Sequence, residues 1–224
     1  MSATTAPADA ARERERRSVA EGAAALGLPL PADRIDALLG FLDLLERWNA
    51  TYNLTAVRDR AAMLRQHLLD SLALVPALHR ARPAGGRLLD VGSGGGLPGV
   101  VVAVADPAWA VTCVDAVAKK AAFLRHVAGA LALPNLRAEH ARVESLVAAP
   151  FDVVTARAFA TLAELARLTR HRLAPGGVWA AMKGQRPDAE IAALPPDVEV
   201  FHVEPLSVPG LAAERCLVWM RPRS

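Results

Sequence analysis

The stretch LLDVGSGGGLPGV, residues 88–100, decides the fold because it joins an apolar run to a glycine-rich turn. Five of the eight residues from Gly92 to Gly99 are glycine. Residues 94–99 match the spacing G-x-G-x-x-G, in which glycines let the backbone turn sharply and approach a bound nucleotide. Pro98 is predicted to be the first helical residue, where no amide hydrogen is needed. Tight turns that bind no ligand use the same spacing, so the residues on either side of the turn must show whether it binds a nucleotide.

Two acids flank this turn. Asp90 lies two residues before Gly92, and Asp115 lies 21 residues after Gly94 at the end of the run AVTCVD. An acid at that distance binds a ribose in dinucleotide-binding folds, so the position of Asp115 is compatible with a nicotinamide cofactor. We predict that Asp90 faces the ligand pocket, where it would repel a pyrophosphate and attract a sulfonium or an ammonium group. The pattern resembles motif I of the class I S-adenosylmethionine-dependent methyltransferases, in which the second acid binds both ribose hydroxyls.

The residue pattern after Gly86 predicts an α/β fold. Short apolar runs alternate with helical stretches, which is typical of a mostly parallel sheet with helices on both faces. Together with motif I, this predicts a Rossmann-like, mostly parallel seven-stranded sheet of the class I methyltransferase type. The predicted strands are 87–91, 110–115, 135–140, 151–156, 176–183, 198–203 and 215–220, and the predicted helices are 117–131, 162–172 and 188–194.

The first part of the chain predicts a different organisation. Residues 1–80 are expected to form a disordered tail and an N-terminal helical extension, and residues 81–224 the S-adenosylmethionine-binding methyltransferase domain. Helical spacing over 35–48 and 64–78 is interrupted by the turn-forming sequence NATYNLT. Residues 1–11 are small and polar, which predicts disorder. The run RERERR that follows is either the solvated start of a helix or a basic arm that touches RNA.

Composition limits the class of protein. Against 23 acidic residues the chain has 26 lysines and arginines, a mildly basic balance that permits a nucleic-acid partner without requiring one. Its apolar stretches are too short to cross a bilayer and no secretory signal is evident, so we expect a cytoplasmic protein without a membrane partner. Cys113 and Cys216 lie in apolar runs and are predicted to be buried strand residues in a reducing compartment. Their spacing predicts no metal site.

The residues after the strands narrow the choice of methyl acceptor. Methylation of an exocyclic base amine usually goes with an N/D-P-P-Y/F motif after strand four, where this chain has TARAFA. Methylation of cytosine C5 needs a cysteine nucleophile that faces the pocket, and neither cysteine is placed for that role. A ring nitrogen with a free lone pair, such as guanine N7, needs neither feature. The sequence therefore favours guanine N7 among these acceptors.

Six motifs identify a specific family. The runs YNLTAVRD, RQHLLDSLAL, LLDVGSGGGLPG, ARVESL, ARAFA and MKGQ occur in this order and resemble the ribosomal RNA small subunit methyltransferase G family over about residues 35–220. The resemblance implies transfer of a methyl group from S-adenosylmethionine to guanine N7 in 16S rRNA, in a loop near the decoding centre. It implies 16S rRNA or the small ribosomal subunit as partner, and we expect a monomer. The chain departs from the family pattern at Gln66, where a basic or apolar residue is expected.

The resemblance also implies a set of cofactor contacts. Val143 and Glu144 correspond to the pair beside the adenine, and Asp115 to the ribose-binding acid. Leu97 and Val143 have a plainer interpretation as core residues, and Glu144 as a solvated helix residue. The full set of predicted cofactor-binding residues is Asp90, Gly92, Gly94, Leu97, Asp115, Val143, Glu144 and Arg157. No catalytic residue is assigned, and His67, Arg157 and Lys183 are the candidates.

Several residues are candidates for contact with RNA, and each has an alternative interpretation. Lys119, Phe123 and His126 share one face of the predicted helix 117–131, which either contacts phosphate or is solvated. His67 and Asp70, one helical turn apart, lie at the pocket mouth or form a buried polar cap. Phe159 stacks on the target base or belongs to the core.

Two other functions remain open at this point. A nicotinamide-dependent oxidoreductase would keep the glycine turn, although the chain has no Tyr-x-x-x-Lys pair and its single tyrosine, Tyr52, lies outside the sheet domain. A non-catalytic RNA-binding protein would keep the whole fold.

Overall fold

Seven of the apolar runs pair into one sheet in the computed structural model, which describes residues 5–223. Strands β1 to β5 are parallel, and β7 runs antiparallel to both β5 and β6. The spatial order β3-β2-β1-β4-β5-β7-β6 confirms the predicted seven-stranded, mostly parallel sheet. The strands are β1 Gly86–Val91, β2 Trp109–Asp115, β3 Leu136–His140, β4 Phe151–Arg157, β5 Leu173–Lys183, β6 Val198–Pro205 and β7 Cys216–Pro222.

The helices cover both faces of this sheet. Leu88 and Leu89 are adjacent in β1 and point to opposite faces, so each enters a different apolar core. One core is shared with α1 to α7 and the other with α8 and α9. The helices are α1 Thr5–Ala25, α2 Ala32–Tyr52, α3 Arg60–Met63, α4 Asp70–Leu72, α5 Val75–Ala81, α6 Gly99–Ala105, α7 Ala118–Ala130, α8 Leu162–Thr169 and α9 Asp188–Ala192, with a π-helical turn at Leu64–Leu69 and 3₁₀ turns at Val143–Ser145 and Arg170–Arg172.

The N-terminal prediction needs two corrections. Residues 5–11 were expected to be disordered and instead begin α1, while residues 1–4 lie outside the described part of the chain. The predicted helix 64–78 is broken, because Pro76 lacks the amide hydrogen that a continuing helix would use, and Pro76 instead lies in the first turn of α5. The division into parts at residue 80 stays a prediction, since one apolar core joins the helical extension to the sheet.

Ion pairs explain why α1 is ordered. Arg12 lies 3.0 Å from Asp43 and Arg16 lies 2.6 Å from Asp36, so two arginines of the run RERERR bind acids on α2. Glu15 accepts a 2.8 Å bond from Arg60, which ties α1 to α3. Such pairs contribute little individually near the surface but act together here as a network. Arg12 and Arg16 are therefore part of a helix–helix contact.

The remaining broad expectations concern cysteines and membrane spans. Cys113 and Cys216 are both free and buried in strands, as predicted. Within residues 5–223, no helix combines the length and the apolar character that crossing a membrane requires.

Candidate active site

Two cavities meet at the carboxyl edge of the parallel strands. The chain leaves β1 toward β2 on one side and β4 lies on the other, and such a reversal of strand order opens a crevice for ligands. The larger cavity, of about 560 Å³, is lined by the glycine turn, the ends of β4 and β5 and the π-helical turn. The smaller, of about 330 Å³, lies beyond β2. Gly92 lines both cavities, so the two are adjacent, and together they make up the groove.

The glycine turn forms the floor of this groove. Gly92 and Gly94 have φ of 66° and 55°, a region that side chains rarely adopt. A Cβ on Gly92 would lie 2.3 Å from the Phe159 ring, whereas a Cβ on Gly94 would meet only the Gly92 carbonyl oxygen, at 3.8 Å. The backbone at Gly94 is therefore open to a ligand. Pro98 lies one position earlier than predicted, at the N-cap of α6.

Asp115 is fixed at the mouth of the smaller cavity. Its Oδ2 accepts a hydrogen bond from the Gly94 amide at 3.0 Å, and its Oδ1 accepts one from the Val117 amide at 2.8 Å. Each carboxylate oxygen has a further lone pair for another donor. A pair of neighbouring hydroxyls, as on a ribose, matches that requirement.

The smaller cavity is lined by apolar and charged side chains together. Val143 is buried and contributes its floor, while Glu144 is exposed at the rim. Arg172 donates to the carbonyl oxygens of both residues, at 3.3 and 2.9 Å, and so holds their 3₁₀ turn in place. Phe159 forms the opposite wall. Together with Asp115, these residues fit an adenosine group.

Asp90 does not face the pocket, and that prediction is wrong. Its side chain is fully buried, and its Oδ2 accepts from the Gly99 amide at 2.9 Å. Gly99 has no Cβ, which would otherwise lie 2.7 Å from that oxygen, so α6 can begin directly above the carboxylate. Burial raises the pKa of Asp90 to about 6, opposed by the bond from Gly99. Asp90 thus supports the glycine turn from beneath, and a role in cofactor binding stays a prediction.

Arg157 lies at the end of β4 and reaches across the larger cavity. Its Nη1 donates to the Gln66 carbonyl and to Asp70 Oδ2, both at 2.9 Å. Asp70 Oδ1 accepts from Arg215 Nε at 2.7 Å. The next residue after Arg157, Ala158, has φ of 52°, and the flanking side chains line different cavities, Arg157 the larger and Phe159 the smaller.

Arg215 was missed by sequence reasoning. It precedes a strand that was predicted, but parallel strands place their first residues away from the ligand edge. Because β7 is antiparallel, its beginning lies at that edge, where Cys216 pairs with Lys183. The signal that could have identified Arg215 is therefore the direction of the last strand, which its residues do not encode locally.

The other candidate catalytic residues also line the larger cavity. His67 is buried, and its Nε2 lies 2.8 Å from Thr55 Oγ1. Burial, reinforced by the charge of Arg157, lowers the pKa of His67, so the imidazole is neutral at physiological pH. Lys183 donates to both carboxylate oxygens of Glu190, at 3.0 and 2.8 Å. The site brings these groups together but leaves neither of them as a free, charged acid or base.

The expected RNA-facing helix is only partly exposed. Lys119 and His126 are exposed, but Phe123 is fully buried and the prediction that it lies on the outer face is wrong. The cause is α2, whose Trp48 ring packs 5.4 Å from the Phe123 ring and 5.5 Å from that of His126. Contact of Lys119 and His126 with RNA stays a prediction. The Phe159 ring covers Gly92 in the smaller cavity, and its stacking on a target base stays a prediction too.

Solved structures share this fold. An S-adenosylmethionine-dependent methyltransferase from Leishmania major is 16% identical, with a TM-score of 0.58 over 81% of this chain and 82% of its own. TrmN from Thermus thermophilus is 23% identical, with a TM-score of 0.52 over 71% of this chain and 53% of its own. At such identities the likeness establishes the class I methyltransferase fold.

Closer relatives cover nearly the whole chain. The ribosomal RNA small subunit methyltransferase G of Leptothrix cholodnii is 64% identical over 94% of this chain and 97% of its own. The protein of the same name from Acidovorax sp. strain JS42 is 62% identical over 90% and 93%. The family pattern itself matches residues 34–218, from the start of α2 into β7. The match thus spans both cavities and every segment that lines them, and this chain belongs to the rRNA small subunit methyltransferase G family.

Proposed function

We propose that this chain transfers the methyl group of S-adenosylmethionine to N7 of one guanine in the 16S rRNA of the small ribosomal subunit. The observation that carries the proposal is the groove that meets at Gly92: one end fits adenosine, and the other opens beside cationic side chains. Family membership supplies the rRNA, and the resemblance of the six motifs supplies the guanine N7 position.

The residues present fit the cofactor. When bound, S-adenosylmethionine supplies an electrophilic methyl group on a sulfonium. Asp115 would accept hydrogen bonds from the ribose hydroxyls, Val143 and Glu144 would lie against the adenine, and the backbone of Gly92 and Gly94 would support the sugar and methionine portions. Leu97 adds apolar contact from the same turn, and it lines the larger cavity.

Methylation at N7 requires little of the protein beyond alignment of the reacting atoms. N7 would donate its lone pair to the methyl carbon, and the sulfur would leave with the electron pair of the broken carbon–sulfur bond. Since N7 carries no proton at neutral pH, no base is required, and positioning provides the rate enhancement. Of the described residues that line the two cavities, none is a cysteine, which disfavours attack on cytosine C5. Tyr52 lines neither cavity, which weakens the oxidoreductase alternative.

We further propose that the enzyme acts as a monomer in the cytoplasm, where its rRNA substrate is made.

The rate of methyl transfer should be nearly independent of pH between about 6.5 and 9. His67, the best-placed potential base, has a pKa lowered by burial, so its neutral form predominates across this range. The measurement is the single-turnover rate at saturating RNA and cofactor, for the wild type and for His67→Ala. A tenfold rise per pH unit in the wild type, abolished in a variant that still binds RNA, would show that His67 is a base.

A strain that lacks this protein should lose one N7-methylguanosine from its 16S rRNA. Nucleoside analysis of purified 16S rRNA, with primer extension to locate the base, measures the loss. Return of the wild-type gene should restore the modification, while the gene with Asp115→Ala should restore it poorly. Persistence of all N7-methylguanosine in the deletion strain, with no second enzyme to account for it, would refute the substrate assignment. It would leave the RNA-binding alternative in its place.

A further inference from the structure

The larger cavity carries one unmatched positive charge. Four cationic side chains line it, and two of them have carboxylates of their own: Lys183 binds Glu190, and Lys120 lies 3.9 Å from Asp115. The other two, Arg157 and Arg215, both bind the single carboxylate of Asp70. Within residues 5–223, no second carboxylate lies within 4 Å of either guanidinium. Two arginines therefore share one acid at the cavity wall.

Both guanidinium groups keep unused donors. An arginine has five N–H donors in a planar fork. Arg215 uses Nε for Asp70 and Nη1 for the Glu214 carbonyl, and Arg157 uses only Nη1. Among the described residues, Nη2 of each arginine has no partner. Asp70 is 2% exposed and oriented by both arginines, whereas the Arg215 side chain is 25% exposed. This is the arrangement that binds an oxyanion.

The position of Arg215 indicates which oxyanion. The loop that carries it lies over the π-helical turn, since a Cβ on Gly210 would be 3.3 Å from the side chain of Arg65. Arg65 is exposed, so a second cation lies on the segment beneath this loop. An RNA strand carries a phosphate at every nucleotide and can therefore meet a cation on each of two neighbouring segments, which a single carboxylate cannot do.

We propose that Arg215, oriented by Asp70, binds a backbone phosphate of the RNA strand that presents the target guanine. The inference rests on the proposed function, because it requires an RNA substrate. Asp70 is then a positioning residue: it neutralises one of two arginines and leaves the other free to bind the strand.

The salt dependence of RNA binding tests this proposal. The probe is deproteinised 16S rRNA or small subunits from a deletion strain, whichever the wild type methylates, and affinity is measured between about 50 and 200 mM KCl. Each phosphate contact contributes about 0.7–0.9 to the slope of log affinity against log salt. Arg215→Gln should reduce the slope by that amount, so that its affinity deficit shrinks about threefold from the low to the high salt concentration. Arg215→Lys keeps the charge and should keep the slope.

Two controls separate the alternatives. Arg221→Gln removes a cation from the other end of β7, where it pairs with Glu199, and should leave the slope unchanged. Affinity for S-adenosylmethionine and for methylthioadenosine, which lacks the amino-acid portion, should not change in Arg215→Gln.

Three results would overturn the proposal. An unchanged slope in Arg215→Gln would exclude a phosphate contact. Equal slopes in Arg215→Gln and Arg215→Lys would indicate a role in shape rather than charge. Weaker binding of S-adenosylmethionine but not of methylthioadenosine would assign the oxyanion to the cofactor carboxylate. Failure of the wild type to methylate either RNA would instead refute the proposed function, so the two failures are distinct.

Discussion

Asp115→Ala should weaken the binding of S-adenosylmethionine by at least tenfold. A hydrogen bond to a charged group contributes about 1.5–3 kcal/mol, and the proposed ribose contact makes two such bonds. Loss of one bond alone corresponds to a tenfold to hundredfold change in Kd. The substitution also removes the acceptors for the amides of Gly94 and Val117, so the glycine turn loses support. Calorimetric titration of the purified variant measures the effect.

Two controls keep this result specific to the ribose. Asp33→Ala removes an exposed acid at the start of α2 and should bind the cofactor as the wild type does. The penalty of Asp115→Ala should also shrink for a 2′-deoxy analogue of S-adenosylhomocysteine, because one of the two hydroxyls is already absent. If a folded Asp115→Ala protein binds S-adenosylmethionine normally, Asp115 is not the ribose ligand.

The contribution of Asp90 to the free energy of unfolding should fall by about 2 kcal/mol as pH rises from 4 to 7. Burial raises the pKa of Asp90 to about 6, above the ordinary value of 3.8. The folded protein therefore keeps a proton that the unfolded chain releases near pH 4. Its stabilising contribution is complete below the unfolded pKa and is lost as pH passes through the folded pKa, because the buried carboxylate must then ionise.

Asp90→Asn isolates this contribution. The amide has the same shape and does not ionise, so the wild type minus Asp90→Asn difference in free energy of unfolding should decline between pH 4 and 7. Urea unfolding at each pH, without cofactor, gives the two curves, and other titrating groups cancel in the difference. Asp33→Asn, at an exposed site, should follow the wild type throughout. Parallel curves for the wild type and Asp90→Asn would show that the Asp90 carboxyl titrates normally.

The sheet could be predicted because its signals are local. Each strand is a short apolar run, and Leu88 and Leu89 enter opposite cores because neighbouring strand residues alternate in direction. Asp115 could be predicted in the same way, because motif spacing places it at the end of the second strand. Gly92, Leu97, Val143 and Arg157 also line the predicted pocket, as expected from positions at strand ends and turns.

The errors arise where a segment distant in sequence determines the surroundings of a side chain. Phe123 is buried because α2, a segment far earlier in the chain, packs on its helix, and periodicity within a helix does not reveal which faces are covered. Asp90 is buried because a glycine nine residues later lets α6 cover it. The link between Asp70 and Arg215 needs the direction of β7, which depends on the assembled sheet. Local patterns predict elements and loops, and long-range packing decides which side chains finally meet.

The contact between Asp70 and Arg215 joins residues 145 positions apart, and this has a consequence for the newborn chain. The adenosine end of the groove needs residues no later than Arg172, which holds the turn at Val143 and Glu144, whereas the rim that carries Arg215 needs the last hairpin. At roughly 5–20 residues per second, a nascent chain emerges over several seconds between these two points. The end of the groove that fits adenosine can therefore form before the segment that carries Arg215 has been synthesised. The contact between Asp70 and Arg215 can form only afterwards, when β7 has inserted beside β5.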